Sequence, residues 1–234
     1  MHLFYTPDIE NESYTLNSEE SKHCVRVLRL VEGEEVSLVD GRGNWYNGIV
    51  AKADPKGCRV ECREKIENFG KRGFRLHLAV APTKNIDRTE WMLEKCTEMG
   101  MDEVTLLNCR YSERKVVKDD RLEKVIVSAM KQSLKAYLPV LNPMTDFKRF
   151  IVSCKETQKF IAHCNPGEKK RLDEVYQPGN DVVILIGPEG DFSEEEVAFA
   201  LANGFVPVSL GNSRLRTETA GIVACHSINF MNRV

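Results

Sequence analysis

The 234-residue chain is short of several signatures that would decide its class early. No stretch approaches the ~20 consecutive apolar residues of a membrane-spanning helix. The opening MHLFYTPDIE has no basic segment followed by an apolar one, so a secretory signal is not expected and the cytosol is the expected setting. Neither GxGxxG nor GxxxxGK[ST] occurs, which argues against a dinucleotide fold and a P-loop. No CxxC occurs among the eight cysteines, and His163-Cys164 and Cys225-His226 have no metal-finger frame around them. Most of the cysteines sit inside apolar runs, so reduced buried thiols are expected, with no metal and no disulfide. An excess of one charge is missing too. Lys and Arg number 33 against 35 Asp and Glu, a net of -2. A nucleic-acid partner would therefore have to be met by local basic clusters.

What is present is an ordinary folding composition, 42% hydrophobic and 29% charged, arranged in two styles. Residues 1–70 read as short strands and glycine-marked turns: EVSLVD, WYNGIVAKA and CRVECREKI partly alternate, and DGRGN is a hairpin signal. One helix fits SEESKHCVRVL, with Ser18 as its expected cap. A small β-barrel is the natural way to bury such strands. NFGKRG, residues 68–73, is the expected linker. From residue 71 to 234, strands alternate with helices. RLHLAVAP, DEVTLLNC, FIAHC, DVVILIGP and PVSLG read as strands. Helices are expected over 85–99, 120–137, 193–203 and 217–231. That alternation predicts an α/β domain with a mainly parallel sheet.

Two segments concentrate chemistry. In DVVILIGPEGDFSEEE, residues 181–196, a strand apolar on both faces enters a glycine loop, and Ser193 with Glu196 forms a capping box. Loops at the carboxyl ends of parallel strands are where α/β proteins bind ligands. In VPVSLGNSRLRTETAGIVACHSINF, residues 206–230, a strand ends at Leu210-Gly211. Arg214, Arg216 and Glu218 then crowd before an apolar helix that Thr217 is expected to cap. Read as plain structure, each is an ordinary turn or a capped surface helix. Both loops follow strands of one sheet, so they can converge on one pocket.

The pair GPEG…FSxxE and LGxxxLRTETA resembles the SPOUT methyltransferases, and more narrowly the ribosomal RNA small subunit methyltransferase E family. HCVRVLRLVEGEEVSLVDGRG (23–43), KNIDRTEWMLEKCTEMGMDEV (84–104) and KQSLKAYLP (131–139) resemble further blocks of that family, in order. The family usually reads GPEGG where Asp191 stands here. It also carries glutamate and arginine where Lys131 and Lys135 stand. The resemblance implies a PUA-like, RNA-binding β-barrel over 1–70 and, over 71–234, a SPOUT methyltransferase domain with a C-terminal trefoil knot. It also implies a homodimer, in the cytoplasm, acting on N3 of a uridine in 16S ribosomal RNA within the small subunit.

S-adenosylmethionine would be the methyl donor and S-adenosylhomocysteine the product. Carried onto this chain, the cofactor residues are Leu185, Ile186, Gly187, Gly190, Leu210, Gly211, Leu215, Arg216 and Thr217. Uridine N3 is a poor nucleophile while protonated, so a carboxylate base and a cation beside the ring carbonyls are the expected machinery. Glu189 or Glu218 suits the base, and Arg216 or Arg214 the cation. Glu218 equally suits holding the loop or Arg216 in place. Phosphate contacts are expected from Lys22, His23, Arg26, Arg29, Arg42, Lys84, Arg114 and Arg214, with Arg110 and Lys115 alongside. Three other readings remain open: a methyltransferase for another RNA such as tRNA, a non-catalytic RNA-binding module, and a nucleotide-dependent α/β enzyme.

Overall fold

The computed structural model describes residues 2–233. The chain forms two units. One runs up to Lys71 and takes in Met130–Leu138; the other comprises Arg72–Ala129 and the chain from Pro139 onward.

In the first unit, β1 (Leu3–Tyr5), β2 (Ser13–Thr15), β3 (Glu35–Val39), β4 (Trp45–Lys52) and β5 (Arg59–Ile66) form one curled sheet, ordered β1-β3-β4-β5-β2. Its pairings are antiparallel except β1 with β3. The register of β4 on β5 slips at Asn47/Gly48 and at Val50/Lys52. Irregularities of this kind bend a strand and increase its twist, which lets the sheet wrap Phe4, Leu16, Cys24, Leu38, Val50, Cys58 and Val60.

The SEESKHCVRVL segment starts one residue before expectation and splits. Asn17, not Ser18, is the cap: its side chain accepts from the Glu19 and Glu20 N–H groups. Helix α1 (Ser18–Lys22) then widens into a π-helical turn over His23–Val27. Such a turn rotates the chain relative to α-helical spacing, and here Cys24 is buried while Lys22, His23, Arg26 and Arg29 stay exposed. The Met130–Leu138 segment breaks the single boundary read near residue 70. Met130 and Ala136 pack in one cluster with Leu3, Val39 and Trp45.

The second unit is built on β6 (Leu76–Val80), β7 (Glu103–Asn108), β8 (Val140–Asp146), β9 (Gln158–Ala162), β10 (Lys170–Arg171), β11 (Val182–Ile186) and β12 (Val206–Ser209). The order is β10-β12-β9-β11-β6-β7-β8, and every pairing is parallel. All five residues of both β6 and β11 are buried, as strands covered on both faces require. The helices are α2 (Ile86–Met99), α3 (Asp119–Gln132), α4 (Phe147–Ser153), α5 (Leu172–Val175), α6 (Glu194–Ala202) and α7 (Thr217–Met231). Helix α3 stops at Gln132, short of the expected Tyr137, and Leu134 then takes a left-handed φ of 55°.

Strand β8 and helix α4 were not legible in the pattern. VLNPMTD contains Pro143 and is mostly half-exposed, a composition that only an edge strand tolerates, and β8 is the last strand of its sheet. Among the described residues, no helix is long and apolar enough to cross a membrane. All eight cysteines are free, five of them buried.

Candidate functional site

Four segments of the second unit meet around a cavity of about 510 Å³ at the carboxyl ends of β9, β11 and β12. They are the turn after β9 (Ala162, His163, Cys164), the loop after β11 (Gly187 to Asp191), the loop after β12 (Leu210 to Arg216) and the first turn of α7. Arg88, from the first turn of α2, completes the lining. A volume of this size suits a nucleoside-sized ligand. The position, outside the carboxyl ends of parallel strands, is where open α/β sheets bind.

Specific hydrogen bonds lock the loops. Thr217 donates from Oγ1 to the Gly187 carbonyl at 3.0 Å, joining the two sequence motifs directly. Its hydroxyl is therefore not a helix cap, and the cap position falls to Arg216. Asp191 has φ +65°, a left-handed conformation that favours glycine. Its carboxylate accepts from the Cys164 N–H at 2.7 Å and from its own neighbour, the Phe192 N–H, at 2.8 Å. The residue that replaces the usual second glycine thus ties the β11 loop to the β9 turn. Ser193 caps α6 with the reciprocal Glu196 contact that the sequence implied. Gly211 sits at φ +132° with open space around it, a backbone that only glycine adopts without strain.

The electrostatics are uneven. Glu218 is only 6% exposed. Its Oε1 lies 3.6 Å from Nη1 of Arg88, while its Oε2 is buried with no partner. An ionised carboxylate in such a place is costly unless a cation or a ligand completes it. Both ring nitrogens of His163 are likewise buried without a partner. Burial, helped by the Lys169 charge, pushes His163 below the ordinary imidazole range, and Asp191 only partly opposes this. His163 is therefore neutral at pH 7, with one ring nitrogen a donor and the other an acceptor.

Of the residues singled out by sequence, Ile186, Gly187, Glu189, Leu210, Gly211, Arg214, Leu215, Arg216, Thr217 and Glu218 all line this cavity. Leu185 and Gly190 do not. Leu185, one position from Ile186, points to the other face of the sheet and packs with Val183, Phe192 and Ala79. Gly190 faces away, where an added Cβ would stand 3.0 Å from the Cβ of Tyr111. Glu189 is exposed, and one of its oxygens accepts from the Lys84 N–H at 2.9 Å.

The basic candidates are dispersed and partly occupied. Arg114 donates to the carbonyls of Thr83 (3.0 Å) and Lys84, bracing that turn rather than projecting into solvent. Lys84 pairs with Glu113 at 2.7 Å, and Arg110 with Glu195 at 3.0 Å. In the first unit, Arg42 pairs with Asp40 at 3.3 Å while remaining mostly exposed. Sequence reasoning missed Arg88, His163 and Cys164. Arg88 lay inside a helix read only for its apolar face. His163 was weighed only as a metal ligand, and nothing local showed that its turn would meet the glycine loop.

Comparison with known proteins agrees with this architecture. A family model described as RNA methyltransferase domain matches residues 71–229, and one described as RNA methyltransferase PUA domain matches residues 16–61. The crystal structure of a "probable rRNA-methyltransferase" from Porphyromonas gingivalis superposes with a TM-score of 0.94 at 44% identity, covering 100% of this chain and 99% of that one. A candidate methyltransferase from Legionella pneumophila, in complex with bound S-adenosylmethionine, gives 0.88 at 28% identity, covering 98% of this chain and 97% of that one. Ribosomal RNA small subunit methyltransferase E of Synechocystis sp. is 27% identical over 225 residues, 92% of this chain and 72% of the relative. The chain belongs to the RNA methyltransferase family, in the branch of ribosomal RNA small subunit methyltransferase E.

Proposed function

We propose that this protein transfers a methyl group from S-adenosylmethionine to N3 of a uridine in 16S ribosomal RNA, with the assembled small subunit as substrate. The observation that carries the reading is the convergence of the GPEG and LRTET loops on one cavity that holds a buried carboxylate with a free oxygen. The family membership and the cofactor-bound neighbour support it.

The residues present fit the cofactor. The cavity is large enough for it, apolar Ile186, Leu210 and Leu215 suit a purine, and Gly187 and Gly211 let a ligand approach the backbone closely. When bound, S-adenosylmethionine supplies a methyl group already activated on a sulfonium, so the chain's task is alignment and proton removal. Glu218 takes the uridine N3 proton. Glu189 is the weaker choice, because one oxygen is engaged by Lys84 and the side chain is exposed. Arg214 and Arg216 line the same cavity and suit the charge spreading onto the ring carbonyls or the flanking phosphates. Lys22, His23, Arg26 and Arg29, exposed around the π-helical turn of the first unit, hold RNA through its phosphates. The same reading includes a homodimer, checked by sedimentation, and the C-terminal trefoil knot.

The deciding experiment is methyl transfer from labelled S-adenosylmethionine to small subunits lacking the modification, with naked 16S rRNA and bulk tRNA in parallel. The expected result is label recovered as 3-methyluridine from subunits. Label in tRNA alone would move the activity to another RNA. Absence of both label and cofactor binding would leave an RNA-binding module.

A further inference from the structure

We propose that Arg88 is a positioning residue for methyl transfer, acting through Glu218 to hold that carboxylate in place at the cavity wall. The proposal rests on the reading of Glu218 as the base. Arg88 lies on α2, three residues past the capping Asn85, and Glu218 lies in the first turn of α7. Both side chains are therefore mounted on helices rather than on loops. Their separation, 3.6 Å between Nη1 and Oε1, is a charge contact longer than a good hydrogen bond. It leaves Oε2 of Glu218 without any partner and fully buried. A base held this way has one oxygen steadied by a cation and the other unengaged.

The other charged or titratable groups around the cavity do not replace Arg88. His163, after β9, is held neutral by burial. Asp191, after β11, is engaged with the Cys164 N–H, and Glu189 with the Lys84 N–H. Arg214 and Arg216, before α7, line the cavity, yet neither forms an ion pair with Glu218. Among the described residues, the ion pair with Arg88 is the single one made by Glu218. The guanidinium makes no other hydrogen bond or ion pair there, and its side chain is 43% exposed. It is therefore reachable from solvent, and substitution leaves no hole in the core.

The test is single-turnover methyl transfer from saturating S-adenosylmethionine to unmodified small subunits, with cofactor affinity measured beside it. Arg88→Gln is expected to lower the single-turnover rate by about tenfold or more, as a displaced reacting group does. Arg88→Lys is expected to restore most of the wild-type rate, and cofactor affinity stays within about twofold of wild type for both variants, as a contact through Glu218 alone requires.

On a Glu218→Gln background, Arg88→Gln is expected to add no further loss. A loss that Arg88→Lys does not restore, or full additivity in the double variant, would overturn the proposal and make Arg88 a structural or phosphate contact. Failure of the underlying reading looks different. Full activity of Glu218→Gln would remove the base itself, whatever Arg88 does.

Discussion

At the scale of single residues, Asp191 shows how one substitution is absorbed. A left-handed φ costs a non-glycine residue roughly 1–2 kcal/mol. Two hydrogen bonds from backbone N–H groups to a carboxylate offset that cost. The two contributions separate by mutation. Asp191→Ala keeps the strained φ and loses the hydrogen bonds, so it is expected to destabilise the fold by about 2 kcal/mol. Asp191→Gly loses the same bonds but relieves the backbone, so it is expected to cost about 1 kcal/mol less than alanine. Urea midpoints of the two variants check the order, and equal midpoints would show that the φ carries no strain. Glu218 and His163 illustrate the opposite economy. Oε2 of Glu218 and both ring nitrogens of His163 stay buried without a partner, which stability alone disfavours.

Among the elements, the turn between β3 and β4 is the clearest link from sequence to electrostatics. DGRGN closes because Asp40 accepts from the Arg42 N–H at 2.8 Å, the Asn44 N–H at 3.1 Å and Asn44 Nδ2 at 2.6 Å. Burial by itself would raise the Asp40 carboxyl, but these donors and the Arg42 side chain outweigh it and hold it below the usual carboxylate range. A carboxyl lowered by folding contributes stability that is present above its unfolded pKa and is lost as pH falls through its folded pKa. Asp40→Asn is therefore expected to destabilise the first unit by about 1–2 kcal/mol at pH 7. The gap between variant and wild type should close below pH 4. Denaturation midpoints at pH 7 and pH 3 measure this, and a gap independent of pH would assign the effect to shape rather than charge.

For the whole molecule, the two units are expected to respond differently to ligand. The cavity and all its lining belong to the second unit. A ligand at 100 times its Kd stabilises the state that binds it by about 2.7 kcal/mol. Hydrogen exchange with S-adenosylmethionine present should therefore slow in β9, β11, β12 and the first turns of α2 and α7. Exchange in β3 to β5 is expected to stay unchanged, because no residue of that sheet lines the cavity. Uniform slowing through both units would place the ligand elsewhere. The net charge of -2 bears on the partner as well. With so little overall attraction for RNA, phosphate contacts fall to the local basic clusters.

The sequence by itself determined the elements whose chemistry is local. The buried strand DVVILIGP, the Ser193–Glu196 box, the helix over Thr217–Met231 and the DGRGN turn depend on neighbours within a few residues, and all are found as read. It also placed most of the cavity lining, because two motifs at strand ends mark loops that share one side of a parallel sheet. Only the tertiary structure decided the rest. Leu185 and Ile186 differ by one position and therefore face opposite sides of the sheet, which no motif states. Met130–Leu138 joins the first unit because Met130 and Ala136 fill its core, a choice set by packing across the chain. Arg88 meets Glu218 across 130 residues only because α2 and α7 lie side by side. Such pairings follow from how the sheet is ordered, and strand order is a property of the folded chain rather than of any window along it.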